Sequence, residues 1–204
     1  MQDSFLTISN STEGLYKEKG SKFIAIAHPV TSVEAVKEKL ETLRKEYYDA
    51  RHHCYAYVLG HAGDQTRAND DGEPNHSAGD PILGQIKSKN LTNTLVVVIR
   101  YFGGTKLGVS GLINAYKTAT AEALEEAEIV KREITETVIL RFPYDEMNAV
   151  MKLVKDLDLN IKGQDYDTGC VMTLEVIVSK LDVMNRKLTL LNDLGHSIQT
   201  KSDA

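Results

Sequence analysis

Apolar and polar positions change rhythm along this chain, and each change marks an element. Ser4 to Ser9 and Lys22 to Val30 carry strand patterning, with Phe23, Ile24, Ile26 and Val30 apolar and Lys19-Gly20-Ser21 as the turn between them. Thr31-x-x-Glu34 then reads as a capping box, in which a hydroxyl and a carboxylate satisfy free amides at a helix start. The helix that follows runs to about Tyr47, with Val33, Val36, Leu40 and Leu43 on one face. Cys54 to Leu59 is a strand, Gly60 to Asp80 a long polar loop, and Pro81 to Lys89 a short helix. Thr94 to Phe102 is the strongest strand, since its unbroken apolar run suits burial on both faces. Gly103 to Gly111 is a tight loop. A helix from about Ser110 to Ala127 then buries Leu112, Ile113, Tyr116, Ala119, Ala123 and Leu124.

From Ile134 the pattern becomes strand Thr137 to Phe142, helix Asp145 to Leu157, strands Ile161 to Tyr166 and Val171 to Ser179, helix Leu181 to Leu194 and strand Ser197 to Thr200. This β-α-β-β-α-β order is that of a ferredoxin-like domain. The fold class is therefore α+β, with domains expected at 1–133 and 134–204, each long enough for its own core.

Composition adds limits. With 42% apolar and 26% charged residues the chain is ordinary globular material. The start lacks a signal-peptide pattern, and no run approaches the roughly 20 apolar residues of a membrane helix, so a cytoplasmic protein without a membrane partner is expected. The net charge of -5 argues against coating a duplex through bulk positive charge, while leaving room for a local basic site. Cys54 and Cys170 follow no metal or redox spacing and are expected to be buried thiols.

Three segments carry candidate chemistry. In Arg100-Tyr101-Phe102-Gly103-Gly104-Thr105-Lys106-Leu107-Gly108-Val109-Ser110-Gly111, glycines lead from a buried strand into a helix N-terminus. Free amides there, with Lys106 nearby, suit a phosphate or another anion. The segment matches neither a Walker loop nor GxGxxG, and glycines serving only a tight turn remain an alternative. Arg51-His52-His53-Cys54 opens a strand, where adjacent histidines point to opposite faces, so no metal and no cofactor are expected. Asp71, Glu73 and His76 lie in the polar loop and are read as turn chemistry or as exposed acid/base or metal-binding groups.

Five segments together resemble the bacterial YigZ proteins and the IMPACT family. They are Tyr16 to Phe23, Arg51 to Tyr57, Asp70 to Pro74, Ala78 to Leu83 and Val98 to Gly111, and their order and spacing agree across most of residues 15–125. The resemblance implies a first domain like domain two of ribosomal protein S-five and domain IV of elongation factor G, a β-rich sheet with helices on one face. It also implies a ferredoxin-like second domain similar to the last domain of elongation factor G. Eukaryotic relatives regulate translation through a stress-kinase activator, using an extra N-terminal domain that these 204 residues do not accommodate.

The leading expectation is a translation-associated regulatory protein that binds RNA or the ribosome. Its contacts would be Arg51, His53, Arg100, Tyr101, Lys106 and Lys117, with Gly103, Gly104, Gly108, Ser110 and Gly111 offering backbone or hydroxyl donors. The alternatives are an enzyme acting on a phosphorylated small molecule, with the polar loop as a lid, and a protein-binding adaptor.

Overall fold

The computed structural model describes residues 3–166 and 169–202. The chain divides into two compact units. One runs from Phe5 to Arg132; the other is built from the described residues from Glu133 onward together with Asp3 and Ser4.

Strands β1 (Ser4–Ile8) and β7 (Ile129–Glu133), which lie in the first unit except for Ser4 and Glu133, form a two-stranded ribbon. The main sheet holds β2 (Thr12–Glu18), β3 (Ser21–Pro29), β4 (His52–Leu59), β5 (Gln65–Asn69) and β6 (Thr94–Tyr101) in the order β2-β3-β6-β4-β5, with every pair antiparallel. The unbroken apolar run of β6 is explained by its central place, where Val96 and Val98 face one side and Leu95, Val97 and Ile99 the other.

Helix α1 (Val33–Glu46) presses Val36, Leu40 and Leu43 against the second of these faces. Helices α2 (Gly79–Ser88) and α3 (Gly108–Glu125) cover the first, through Ile82 and Ile86 and through Leu112, Ala115, Tyr116 and Ala119. The expectation of helices on one face is therefore corrected. The α1 stripe needs an apolar surface of its own, and alternation along β3, β4 and β6 supplies one on each side.

Other differences have local causes. β2 falls where no strand is expected; its one fully buried position is Gly14, and on the same face only Tyr16, half-buried, adds an apolar side chain to the core. β5, Gln-Thr-Arg-Ala-Asn, sits at the sheet edge inside the expected loop, and α2 begins at Gly79 instead of Pro81. β7 is an exposed five-residue strand outside every expected element. The α1 cap is Ser32, whose Oγ accepts from Ala35 N at 3.2 Å, in place of Thr31 and Glu34. Ile113, expected inside, is 38% exposed.

The second unit runs β8 (Thr135–Phe142), α4 (Met147–Asp156), β9 (Asn160–Asp165), β10 (Cys170–Ile177), α5 (Val178–Asp193) and β11 (Gln199–Ser202). Its four strands are antiparallel in the order β11-β8-β10-β9. Its core joins Val138, Leu140, Met172, Leu174 and Val176 to Val150 and Leu153 of α4 and Met184 and Leu188 of α5. Both cysteines are free and buried. Among the described residues no helix is long and apolar enough to cross a membrane.

Candidate functional site

The end of β6 places Arg100 between Phe23 of β3 and His52 of β4, its register partners on either side. Directly paired residues share a sheet face, so all three point toward α3. Arg100 is buried there, and its Nη1 donates to Glu73 Oε1 at 2.6 Å. The same Glu73 oxygen accepts from the hydroxyl of Tyr116 on α3 at 2.8 Å. The guanidinium carbon sits 5.4 Å from the Phe23 ring centroid and 5.6 Å from that of Phe102. Cys54 Sγ lies 3.3 Å from the Tyr116 hydroxyl. Burial pushes both the Cys54 thiol and the Tyr116 phenol well above their ordinary ranges, so Cys54 is no nucleophile and Tyr116 stays a donor.

The loop that carries Glu73 is organised by Asp70. Its Oδ1 accepts from the amides of Ala78 and Gly79 at 2.9 and 2.8 Å, and its Oδ2 from His76 N at 2.8 Å. Burial works against the charged form, but these three amides outweigh it and hold the carboxyl below its ordinary range. Asp71 turns to the strand: its Oδ2 accepts from His53 N at 2.7 Å and its carbonyl oxygen lies 2.8 Å from His52 Nδ1.

Across from this loop, the chain leaves β6 through Phe102 to Leu107 and enters α3 at Gly108. A Cβ on Gly103 would lie 1.9 Å from Gly20 C and 2.2 Å from Ser21 N, so only glycine lets the two turns cross there. Gly108 has φ of 72°, in the left-handed region. The N-terminus of α3 has no side-chain cap and no acidic residue in its first turn, leaving its amides and dipole uncompensated.

Between the two loops opens a cavity of about 480 Å³. Its polar lining is Arg51, His52, Glu73, Arg100 and Lys106, and its apolar lining includes Phe102, Leu107, Val109 and Leu112. Arg51 and Lys106 are exposed at its edge. Arg100 Nε is buried and finds no partner among the described residues. The floor is thus a paired charge, and the mouth carries unpaired positive charge beside free amides.

The structure brings Arg51, Glu73, Arg100, Lys106 and Gly108 together and separates the other expected residues. His53 lies on the α1 face, where burial lowers its pKa. His52 takes the place expected of it, and strand alternation from Cys54, a core residue of the cavity face, would have identified this in the sequence. Tyr101 also faces α1. Its hydroxyl donates to Asp49 Oδ1 at 2.8 Å, and burial pushes its pKa up to about 12. Gly103, Gly104, Ser110, Gly111 and Lys117 do not line the cavity.

Glu73, read from the sequence as an exposed loop carboxylate, is buried; the Asp70 turn tucks it under Arg100. His76 is exposed and pairs with Asp80 at 2.6 Å, so Asp71, Glu73 and His76 form no common group. Among the described residues no three His, Cys, Asp or Glu side chains converge to hold a metal. Phe102, Leu107 and Val109 went unrecognised because glycines dominate that segment. Their apolar character in an otherwise polar loop was the available signal.

These features define a two-unit α+β protein with an anion-compatible cavity at a strand end. Residues 19–124 match the Impact N-terminal domain, a span that contains the whole cavity lining. The chain is 33% identical over 172 residues to IMPACT family member YigZ of Escherichia coli, covering 83% of this chain and 84% of that protein. It is 32% identical over 166 residues to IMPACT family member YvyE of Bacillus subtilis, covering 81% and 76%. A crystal structure of a hypothetical protein is similar over 100% of this chain and 99% of its own, with a TM-score of 0.73 at 29% identity. The chain belongs to the IMPACT family.

Proposed function

We propose that this is a cytoplasmic, translation-associated regulatory protein that binds RNA or the ribosome through the cavity between the Glu73 and Gly108 loops. The observation that carries this reading is the juxtaposition of Arg51, Lys106 and the uncapped start of α3 over a floor whose own charges, Arg100 and Glu73, are already paired. Positive charge at the mouth is then available to an external anion. Phosphate contacts position a protein on RNA without a basic overall composition, and Phe102, 53% exposed, offers a face on which a base can stack. In the same reading the units are independent domains, the first like domain two of ribosomal protein S-five. The antiparallel order β11-β8-β10-β9 supports a ferredoxin-like second domain.

A second reading, an enzyme acting on a phosphorylated small molecule, is favoured by the concave shape and buried Glu73. Salt dependence separates the two. RNA held through its backbone must be released steeply by salt, whereas a small ligand lacks a condensed counterion atmosphere. Titrating labelled single-stranded RNA from about 50 to 200 mM salt is expected to give a steep loss of affinity. A flat response, or no binding at the lowest salt, removes RNA as the ligand and favours the small molecule.

A further inference from the structure

Resting on that reading, we infer that the cavity is an end-binding site: it takes one nucleotide bearing a phosphomonoester, as a 5′-phosphorylated RNA terminus or a free mononucleotide, and leaves the backbone that follows an RNA terminus to the positive charge outside it. Its volume of about 480 Å³ falls in the range of roughly 300 to 1,000 Å³ that holds one small ligand. Its floor is closed, because Arg100 and Glu73 are buried and the Tyr116 side chain behind them is fully so. A strand of RNA can enter such a cavity but cannot pass through it.

The donors also match a terminal phosphate better than an internal one. A phosphomonoester carries about −1.5 to −2 charge near neutrality and three acceptor oxygens, whereas a diester has a single charge and two free oxygens. Arg51, Lys106 and the first-turn amides of α3 provide positive charge and donors from different sides of the mouth. Deeper in, Arg100 is 7% exposed, lines the cavity and has an Nε without a partner among the described residues. Phe102, Leu107, Val109 and Leu112 give the walls an apolar character suited to a flat base.

The test uses the full chain and three probes: a short single-stranded RNA with a 5′-phosphate, the same RNA with a 5′-hydroxyl, and adenosine monophosphate. The phosphorylated RNA is expected to bind about tenfold tighter than its hydroxyl counterpart, the gain of one charge-assisted contact, and to be displaced by the mononucleotide. Lys106→Ala, at an exposed position, is expected to remove most of that preference without changing the melting temperature. Equal binding of the two RNAs overturns the end-binding inference and leaves the RNA reading standing. Binding of the mononucleotide with neither RNA bound keeps the phosphomonoester site and overturns the RNA reading. Binding of none of the three overturns both.

Discussion

Arg100 Nη1 and Glu73 Oε1 lie 2.6 Å apart with both side chains less than a tenth exposed, and the two residues reach each other from the end of β6 and from a turn 27 positions earlier. Burying either charge alone is expensive, so each is the condition for the other. Glu73→Ala strands the guanidinium and also leaves the Tyr116 hydroxyl without its acceptor. It is expected to cost about 3 to 5 kcal/mol in denaturant unfolding. Glu73→Gln, which keeps an acceptor and the volume, is expected to cost less. Near-wild-type stability of Glu73→Ala would show that water solvates the pair and that the floor is open.

Gly103 and Gly104 are adjacent but constrained in different ways. A side chain on Gly103 runs into the backbone of Gly20 and Ser21, whereas Gly104 has open space and only a φ of 89° to satisfy. Gly104→Ala is expected to cost about 1 to 2 kcal/mol through the left-handed backbone alone. Gly103→Ala must push two turns apart and is expected to cost more. Equal melting temperatures for the two variants would contradict the close crossing.

Asp70 ties stability to acid. Its folded pKa is depressed, so its stabilising contribution is present above the unfolded value of about 3.9 and is lost as pH falls through the lower folded value. Asp70→Asn turns an amide group toward donors at Ala78, Gly79 and His76 that need acceptors. The variant is expected to lose stability at pH 7 and to show a shallower decline below about pH 4 than the parent protein. Parallel unfolding curves for the two across that range would exclude Asp70 as the acid-sensitive group.

Lys106 is exposed at the cavity mouth, so its removal is expected to spare the fold and act on binding alone. With single-stranded RNA, Lys106→Ala is expected to flatten the log-log salt dependence by about 0.7, the share of one neutralised phosphate. An unchanged slope with intact RNA binding would remove Lys106 from the interface.

How far the sequence disclosed this depends on where each residue's partner lies. β6 was legible because a run buried on both faces needs no knowledge of its neighbours. β2 was not, because the position it buries is Gly14, where a Cβ would meet Ala123 N at 2.4 Å; the apolar contact comes from α3. β5 is polar except for Ala68 and becomes a strand only by pairing with β4. The same holds at the cavity. Arg100 and Lys106 could be named from charge beside glycines and Arg51 from the basic segment that opens β4, but the burial of Glu73 follows from Asp70 gathering three amides and from Tyr116 a helix away. Choosing His53 over His52 neglected strand parity, which places only His52 beside Arg100.

The cavity has two walls of unlike mechanical character. Arg100 ends a strand whose residues are paired with a neighbour on each side, so its backbone belongs to the part of the unit that opens only when the whole unit opens. The opposing rim, 102–106, is exposed chain outside helix and strand. A bound molecule therefore meets one fixed jaw and one that can settle onto it. In amide hydrogen exchange, the slowing caused by occupancy belongs to the rim and the first turn of α3, while the amides of β6, protected by pairing on both sides, have little left to gain.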